Sequence, residues 1–355
     1  MSMALPSPAA PLQEACRRTS RRQGMMLGGM ALLLLALMIG DLATGPSALP
    51  LQTLITALFA GPDGDDRMNA IILWQLRMPQ TLLGAIVGGC LGLAGLKMQT
   101  ILDNPLASPF TLGFSAAAGF GAALAILLGG LIAVPLYLLT PLAAFVMTLI
   151  ACAMVYAVAM MRGAGPAILV LAGTAVMFFF QSLQALMQFL ASPEVLQQIV
   201  FWLFGSLLKA TWQGVAIAGG ILAVALPWAL CHAWQLTMLR LGEANAASLG
   251  LKVERLRRQS FIMVALLTAA AVSFVGTIGF IGLIAPHLAR ALVGEDHRLS
   301  LPLSALSGAV LLIAASLIGK VISPGGALPV GIVTAIAGVP VLFGLVLHQG
   351  RERVR

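Results

Sequence analysis

Charge is what this sequence has least of. Of 355 residues, 9% are Asp, Glu, Lys or Arg, while 60% are hydrophobic. An average soluble domain carries about 25% charged residues, which its surface needs for solubility. Twenty basic and twelve acidic side chains cannot cover a 36.8 kDa body. A soluble globular protein is therefore excluded, and a mean hydropathy of +1.00 makes lipid the main solvent. Aromatic residues are also scarce, at 6%. A lipid-facing β-barrel would show short alternating segments and aromatic girdles, and continuous runs such as residues 25–39 do not alternate. The four cysteines (Cys16, Cys90, Cys152, Cys231) stand singly, without a C-x-x-C pair or a disulfide framework, and read as small apolar packing residues.

Catalytic chemistry is missing too. The four histidines (His232, His287, His297, His348) do not pair at metal-ligand spacing with one another or with a carboxylate. No G-x-S-x-G or H-E-x-x-H occurs. Gly319-Lys320 is followed by Val321 and lacks the upstream glycine of a phosphate-binding loop, so the chain has no such ATP site of its own. No catalytic residue, metal site or cofactor is expected. An ion-coupled carrier would bury acids or a relay within its spans. Here Asp41 lies at the outer end of the first span, Asp103 in a broken segment, and Glu243, Glu254, Glu295 and Asp296 in loops. The carrier reading is weakened, and Asp103 keeps it open.

What is present is a series of apolar stretches rich in small residues, with 38 glycines. Small residues let membrane helices approach closely. A span needs about 20 apolar residues. Ten stretches qualify, near 25–40, 79–99, 110–131, 138–161, 167–190, 213–235, 259–276, 279–293, 301–319 and 330–347. Arg17, Arg18, Arg21 and Arg22 precede the first, which is read as a retained span rather than a cleaved signal peptide. Arginines there place the N-terminus in the cytoplasm, and ten spans return the C-terminus to the same side. On this threading the basic residues divide 16 inside to 4 outside (Arg67, Arg77, Lys209, Lys320). The high pI is thus an orientation signal and not a nucleic-acid patch. The organisation expected is a cytoplasmic tail over 1–24, one permease domain over 25–350 and a short tail over 351–355. Residues 49–60 read as an amphipathic outer segment, followed by an acidic turn. Asp103-Asn104-Pro105 and Gly276-Thr277-Ile278-Gly279 break the pattern between spans. The frames at 92–96 and 279–283 hint at an internal duplication.

The informative connection is residues 240–258, the longest on the inside. Residues 243–249 read as one short helix stopped by Gly250, with a second short stretch from Val253. A rigid knob of this kind suits a cleft in a partner.

Several motifs resemble the FecCD family, the membrane permeases of ABC importers for ferric siderophores, haem and cobalamin. Residues 241–256 resemble its coupling segment. Leu76-Arg77-Met78-Pro79 resembles R-[LM]-P-R, and Gln99 with residues 104–113 resembles Q-x-x-x-R-N-P-L-A-x-P-x-x-L-G. Trp202-Leu203-Phe204-Gly205-Ser206-Leu207 is similar to W-x-x-G-S-L. Gly279-Phe280-Ile281-Gly282-Leu283-Ile284-Ala285-Pro286-His287-Leu288-Ala289-Arg290 resembles G-F-I-G-L-[IV]-x-P-H-x-x-R, and residues 329–335 resemble P-V-G-x-x-T-A.

The resemblance implies an all-α integral membrane protein of ten spans, of the cobalamin-importer (type II) kind, in the bacterial inner membrane. It implies a second permease chain completing the pore, as a homodimer or a heterodimer. It also implies two cytoplasmic ATPase subunits, which bind the ATP, and a periplasmic or lipid-anchored substrate-binding protein. Contact with the ATPase would fall to Leu241, Gly242, Glu243, Ala244, Ala247, Leu249, Gly250, Leu251, Val253 and Arg255. Arg77, Gln80 and Lys320 would face the binding protein. Asn104, Pro105, Gly163, Gly165 and Pro166 would belong to the pore or its inner gate, although a Gly-Pro turn alone also explains the last three. Gly279, Gly282, Pro286, His287 and Arg290 carry the structural motif. The cargo implied is a ferric siderophore, with haem or cobalamin as alternatives. Methionines such as Met98, Met154, Met177 and Met187 read as gap-fillers or as pore lining. Five positions depart from the family pattern. Gln80 and Lys320 stand where it has arginine, Asp103 where it has arginine, Ser316 where it has aspartate and Ala327 where it has glutamate. A heteromeric importer and subfamily drift explain these equally.

Overall fold

The computed structural model describes residues 9–46, 50–62, 64, 66–131, 133–162, 165–323 and 328–352. Gly163 and Ala327, both named above, lie outside the described residues, as do residues 1–8 and 353–355.

The chain is all helical among the described residues. In order the helices are α1 (Ala9–Ala43), α2 (Leu51–Ala60), α3 (Arg67–Ala70), a π-helical stretch (Ile71–Arg77), α4 (Met78–Ile101), a 3-10 turn (Pro109–Leu112), α5 (Phe114–Leu128), α6 (Leu136–Arg162), α7 (Pro166–Leu190) and α8 (Pro193–Leu203). There follow α9 (Trp212–Cys231), α10 (Ala233–Leu239), α11 (Glu243–Ser248), α12 (Val253–Val275), α13 (Ile281–Val293), α14 (His297–Ile322) and α15 (Val330–Glu352). Seven are long and apolar enough to cross a membrane: Arg21–Ala43, Arg67–Ile101, Leu136–Met161, Pro166–Leu190, Trp212–Cys231, Val253–Val275 and His297–Ile322. Three shorter apolar helices, Phe114–Leu128, Ile281–Val293 and Val330–Gly344, complete the ten predicted stretches. This is a multi-pass membrane protein.

One boundary differs from expectation, and a second is crossed by a helix. The second short stretch from Val253 is not separate: it is the first turn of α12, which continues to Val275. The apolar window begins the span at 259 because residues 254–258 are mostly charged, yet the helix carries them without breaking: Glu254, Arg255 and Arg258 are exposed, and the buried Arg257 is paired with Glu243 and the Ile101 carbonyl. The 24/25 boundary also falls inside the unbroken helix α1.

Helix α4 is the axis. It packs against α14, α12, α13 and α9, and almost its whole length is buried. Its glycines explain how so many neighbours fit. At Gly88 a Cβ would strike Gly308 carbonyl oxygen, and at Gly95 it would strike the Gly282 backbone. Ser304 Oγ donates to Gly92 O at 2.8 Å across the same seam. Gly92–Leu96 and Gly279–Leu283, the two similar frames, therefore meet in space through Gly95 and Gly282. Helices α5, α6 and α7 form a second group joined to α12, while α1 leans on α14.

Lys97, counted above with the inside charges, is instead 1% exposed within the bundle. Its ammonium lies 5.2 Å from the ring centroid of Trp228, a cation–π arrangement.

Candidate functional site

The predicted residues gather at the two opposite ends of the bundle. One end, the loop end, carries α11. Gly242 enters this helix with φ +97, a conformation that suits glycine. The exit is a Schellman motif: Leu251 N–H donates to Ala246 O at 3.1 Å and Gly250 N–H to Ala247 O at 2.9 Å, with Gly250 at φ +87. Asn245 Nδ2 donates to Leu241 O at 2.8 Å and Ser248 Oγ to Asn245 O at 2.8 Å. Ala246 alone of the helix is buried, and it pins α11 to the body. Leu241 and Leu249 are each 61% exposed and flank the helix; Glu243, Ala244, Ala247, Gly250 and Arg255 are exposed too. Leu251 and Val253 are half-buried. A closed, hydrogen-bonded knob thus presents two leucines and two alanines beyond the bundle.

Beneath it, the last turn of α4 collects contacts from every side. Arg290 Nη2 donates to Gln99 Oε1 at 2.5 Å, and Gln99 Nε2 donates to Leu283 O at 3.3 Å. Thr100 Oγ1 pairs with His297 Nε2 at 2.8 Å, and the other ring nitrogen of His297 lies 3.2 Å from Thr237 Oγ1. Arg257 Nε donates to Ile101 O at 3.2 Å, while its Nη2 pairs with Glu243 Oε1. Asp103 bonds Arg240 at 3.3 Å, and Arg240 also reaches Glu295 at 3.0 Å. Asp103 sits at φ 44. Asp tolerates this left-handed position better than most residues, so an aspartate here, where the family pattern has arginine, fits the helix end. Asp296 caps α14. Burial pushes its carboxyl up, but hydrogen bonds from Arg298 outweigh that and hold it below the usual carboxylate range. The cap therefore stays ionised.

Asn104 and Pro105 are exposed beside this hub, with Asn104 Oδ1 accepting from Leu106 N at 2.9 Å. Gly165 and Pro166 start α7. His287 Nδ1 contacts Leu283 O at 2.8 Å, and its Nε2 is buried without a partner. Gly279, Gly282 and Pro286 shape α13 and the strained turn before it, where Phe280 takes φ 67.

At the far end, Arg77 and Lys320 come together, but both turn inward. Arg77 is 5% exposed, and its Nη1 donates to Leu42 O at 2.6 Å and Ala43 O at 3.1 Å. Lys320 Nζ lies 2.8 Å from Asp41 Oδ2 and donates to Asp41 O at 2.9 Å. Asp41 is fully buried, and it also accepts from Thr81 at 2.5 Å and from Ser316 at 2.7 Å. The expectation of two outward-facing cations thus meets cations engaged inside the protein; a carboxylate buried on α1 draws them in. Gln80 is half-buried beside them. At position 316, where the resemblance implies an acid, the Ser316 hydroxyl donates to the Asp41 carboxylate of α1.

Sequence reasoning missed Asp41 and Arg257 as organising residues. Arg257 had a signal: it shares a helical stripe with Val253, Ser260, Phe261 and Val264, a charge on an otherwise buried face.

The comparisons with known proteins agree with one another. The ferric enterobactin transport system permease protein FepD of Escherichia coli is 37% identical over 333 residues, covering 91% of this chain and 95% of that one. The hemin transport system permease protein HmuU of Yersinia pestis is 33% identical over 337 residues, covering 93% and 97%. A solved metal-chelate type ABC transporter in an inward-facing conformation superposes with a TM-score of 0.81 at 29% identity, covering 92% of this chain and 99% of that chain. The FecCD transport family matches residues 26–348, and this chain belongs to that family.

Proposed function

We propose that this chain is the permease subunit of an ABC importer for metal chelates and forms half of the translocation pore with a second permease chain. In this reading two separate ATPase subunits grip α11 from the cytoplasm, and a substrate-binding protein delivers cargo at the far end. The loop end, with both termini, faces the cytoplasm of a bacterial inner membrane. The observation that carries the reading is α11 itself, a rigid, exposed, apolar-faced helix on a chain that has no nucleotide loop of its own. Arg77 and Lys320 would act on docking through the shape of the far end.

A ferric siderophore is the cargo favoured, supported by the likeness to the ferric enterobactin permease over nearly the whole chain. Haem is the second reading, supported by the hemin relative; cobalamin import shares the family architecture. Proteoliposomes holding the chain, its ATPases and its binding protein should accumulate an iron-labelled siderophore only with ATP. Uptake driven by an ion gradient alone would overturn the importer reading, and uptake of haem instead of siderophore would move the cargo.

The coupling role has its own test. Gly250→Asp combined with Leu251→Glu strains the Schellman turn and charges the knob. ATPase recovered with the purified permease should fall at least tenfold. Retention of ATPase that still responds to cargo would remove α11 from the interface.

A further inference from the structure

The contacts at the loop end converge on one short piece of chain. Gln99, Thr100, Ile101 and Asp103 each reach a different neighbour: α13, α14 with α10, α12, and Arg240 after α10. One of these links reaches α11 itself. Arg257 is 4% exposed, yet it joins the Ile101 carbonyl at the end of α4 to the Glu243 carboxylate at the start of α11. Arginine can hold both because its guanidinium presents several donors in a planar fork. The acceptors also suit it: a carbonyl at a helix C-terminus and a carboxylate both favour a cation. Helix α4 then runs, with the segment before it, as the 35-residue helix Arg67–Ile101. At its far end Arg77 and Thr81 hold α1 and Asp41.

We infer that Arg257 is the positioning residue that makes α11 move as one body with α4, so that force on the knob is delivered to the axial helix. Backbone contacts alone would leave α11 hinged at two glycines, Gly242 and Gly250, both at positive φ. Arg257 closes that hinge from beneath. Its transport consequence rests on the importer reading, whereas the mechanical link does not.

The test uses the full chain carrying spin labels at Ser248→Cys and Leu106→Cys, both exposed positions. Cys16→Ser and Cys231→Ser keep the labelling specific, since Cys90 and Cys152 are buried. The parent should give one narrow distance distribution. Arg257→Lys supplies a point charge that cannot span both acceptors, and should at least double the width. In the complete importer, Arg257→Lys should lower cargo moved per ATP hydrolysed at least fivefold while basal ATPase stays within twofold, a split that a merely structural role would not produce. Should Arg257→Lys fail to fold, Glu243→Gln cuts the same link from the other side, with the distance width as readout. A width unchanged in the variant overturns the inference, and so does a broadened width with cargo per ATP unchanged. If the chain recruits no ATPase at all, the importer reading falls while the distance measurement still decides the clamp.

Discussion

Gly95→Ala should abolish the recovery of folded protein, although it adds a single methyl group. The added carbon would overlap Gly282 carbonyl oxygen and lie 2.8 Å from Gly282 Cα. Overpacking that side chains can absorb costs about 1–3 kcal/mol. Here the obstacle is backbone on both sides, so α4 and α13 must separate, and the seams at Gly88–Gly308 and Gly92–Ser304 open with them. Small residues at such crossings are what allow membrane helices their van der Waals contact. The measurement is the monodisperse yield after detergent extraction. Gly220→Leu is the control, because nothing lies within 4 Å of a Cβ at that position. Normal yield and thermal stability for Gly95→Ala would mean the crossing is looser than described.

Asp41→Ala should be the most damaging single charge removal. It leaves Lys320, with only 15% of its side chain exposed, without its counter-charge, and it strands the hydroxyls of Thr81 and Ser316. Removing one partner of a buried pair costs about 3–5 kcal/mol, whereas replacing both by apolar residues is often neutral. Asp41→Leu together with Lys320→Met should therefore recover most of the thermal stability lost by Asp41→Ala, read as unfolding temperature in detergent. A double variant no better than the single one would show that the pair's hydrogen bonds to α4 and α14, rather than its charge balance, hold α1.

The ten apolar helices were legible because a long apolar run is a property of composition, which a sequence displays directly. The knob was legible because Gly242, Gly250 and a short polar helix are local signals. The far end was not. Asp41 and Lys320 are separated by 279 positions, and each alone reads as a charge at the water boundary. Nothing in the spacing of a single helix tells whether an end-of-span charge turns outward or inward; only the neighbour that bears the opposite charge decides it. The same holds for Lys97, whose partner ring at Trp228 comes from α9. Position 316 is instructive from the other side. A serine in place of an expected acid reads alone as drift or as a gap that a sister chain fills; with α1 beside it, its hydroxyl meets the Asp41 carboxylate.

The glycine seam along α4 also governs leakage. Where Gly88 meets Gly308 and Gly95 meets Gly282, the helix backbones touch, and no file of water molecules fits between them. A proton or sodium ion that needed such a file would find none at these two crossings. On the importer reading, a bulky cargo would pass outside these crossings, and the resistance of the membrane during its passage would depend on the second surface that closes over that route.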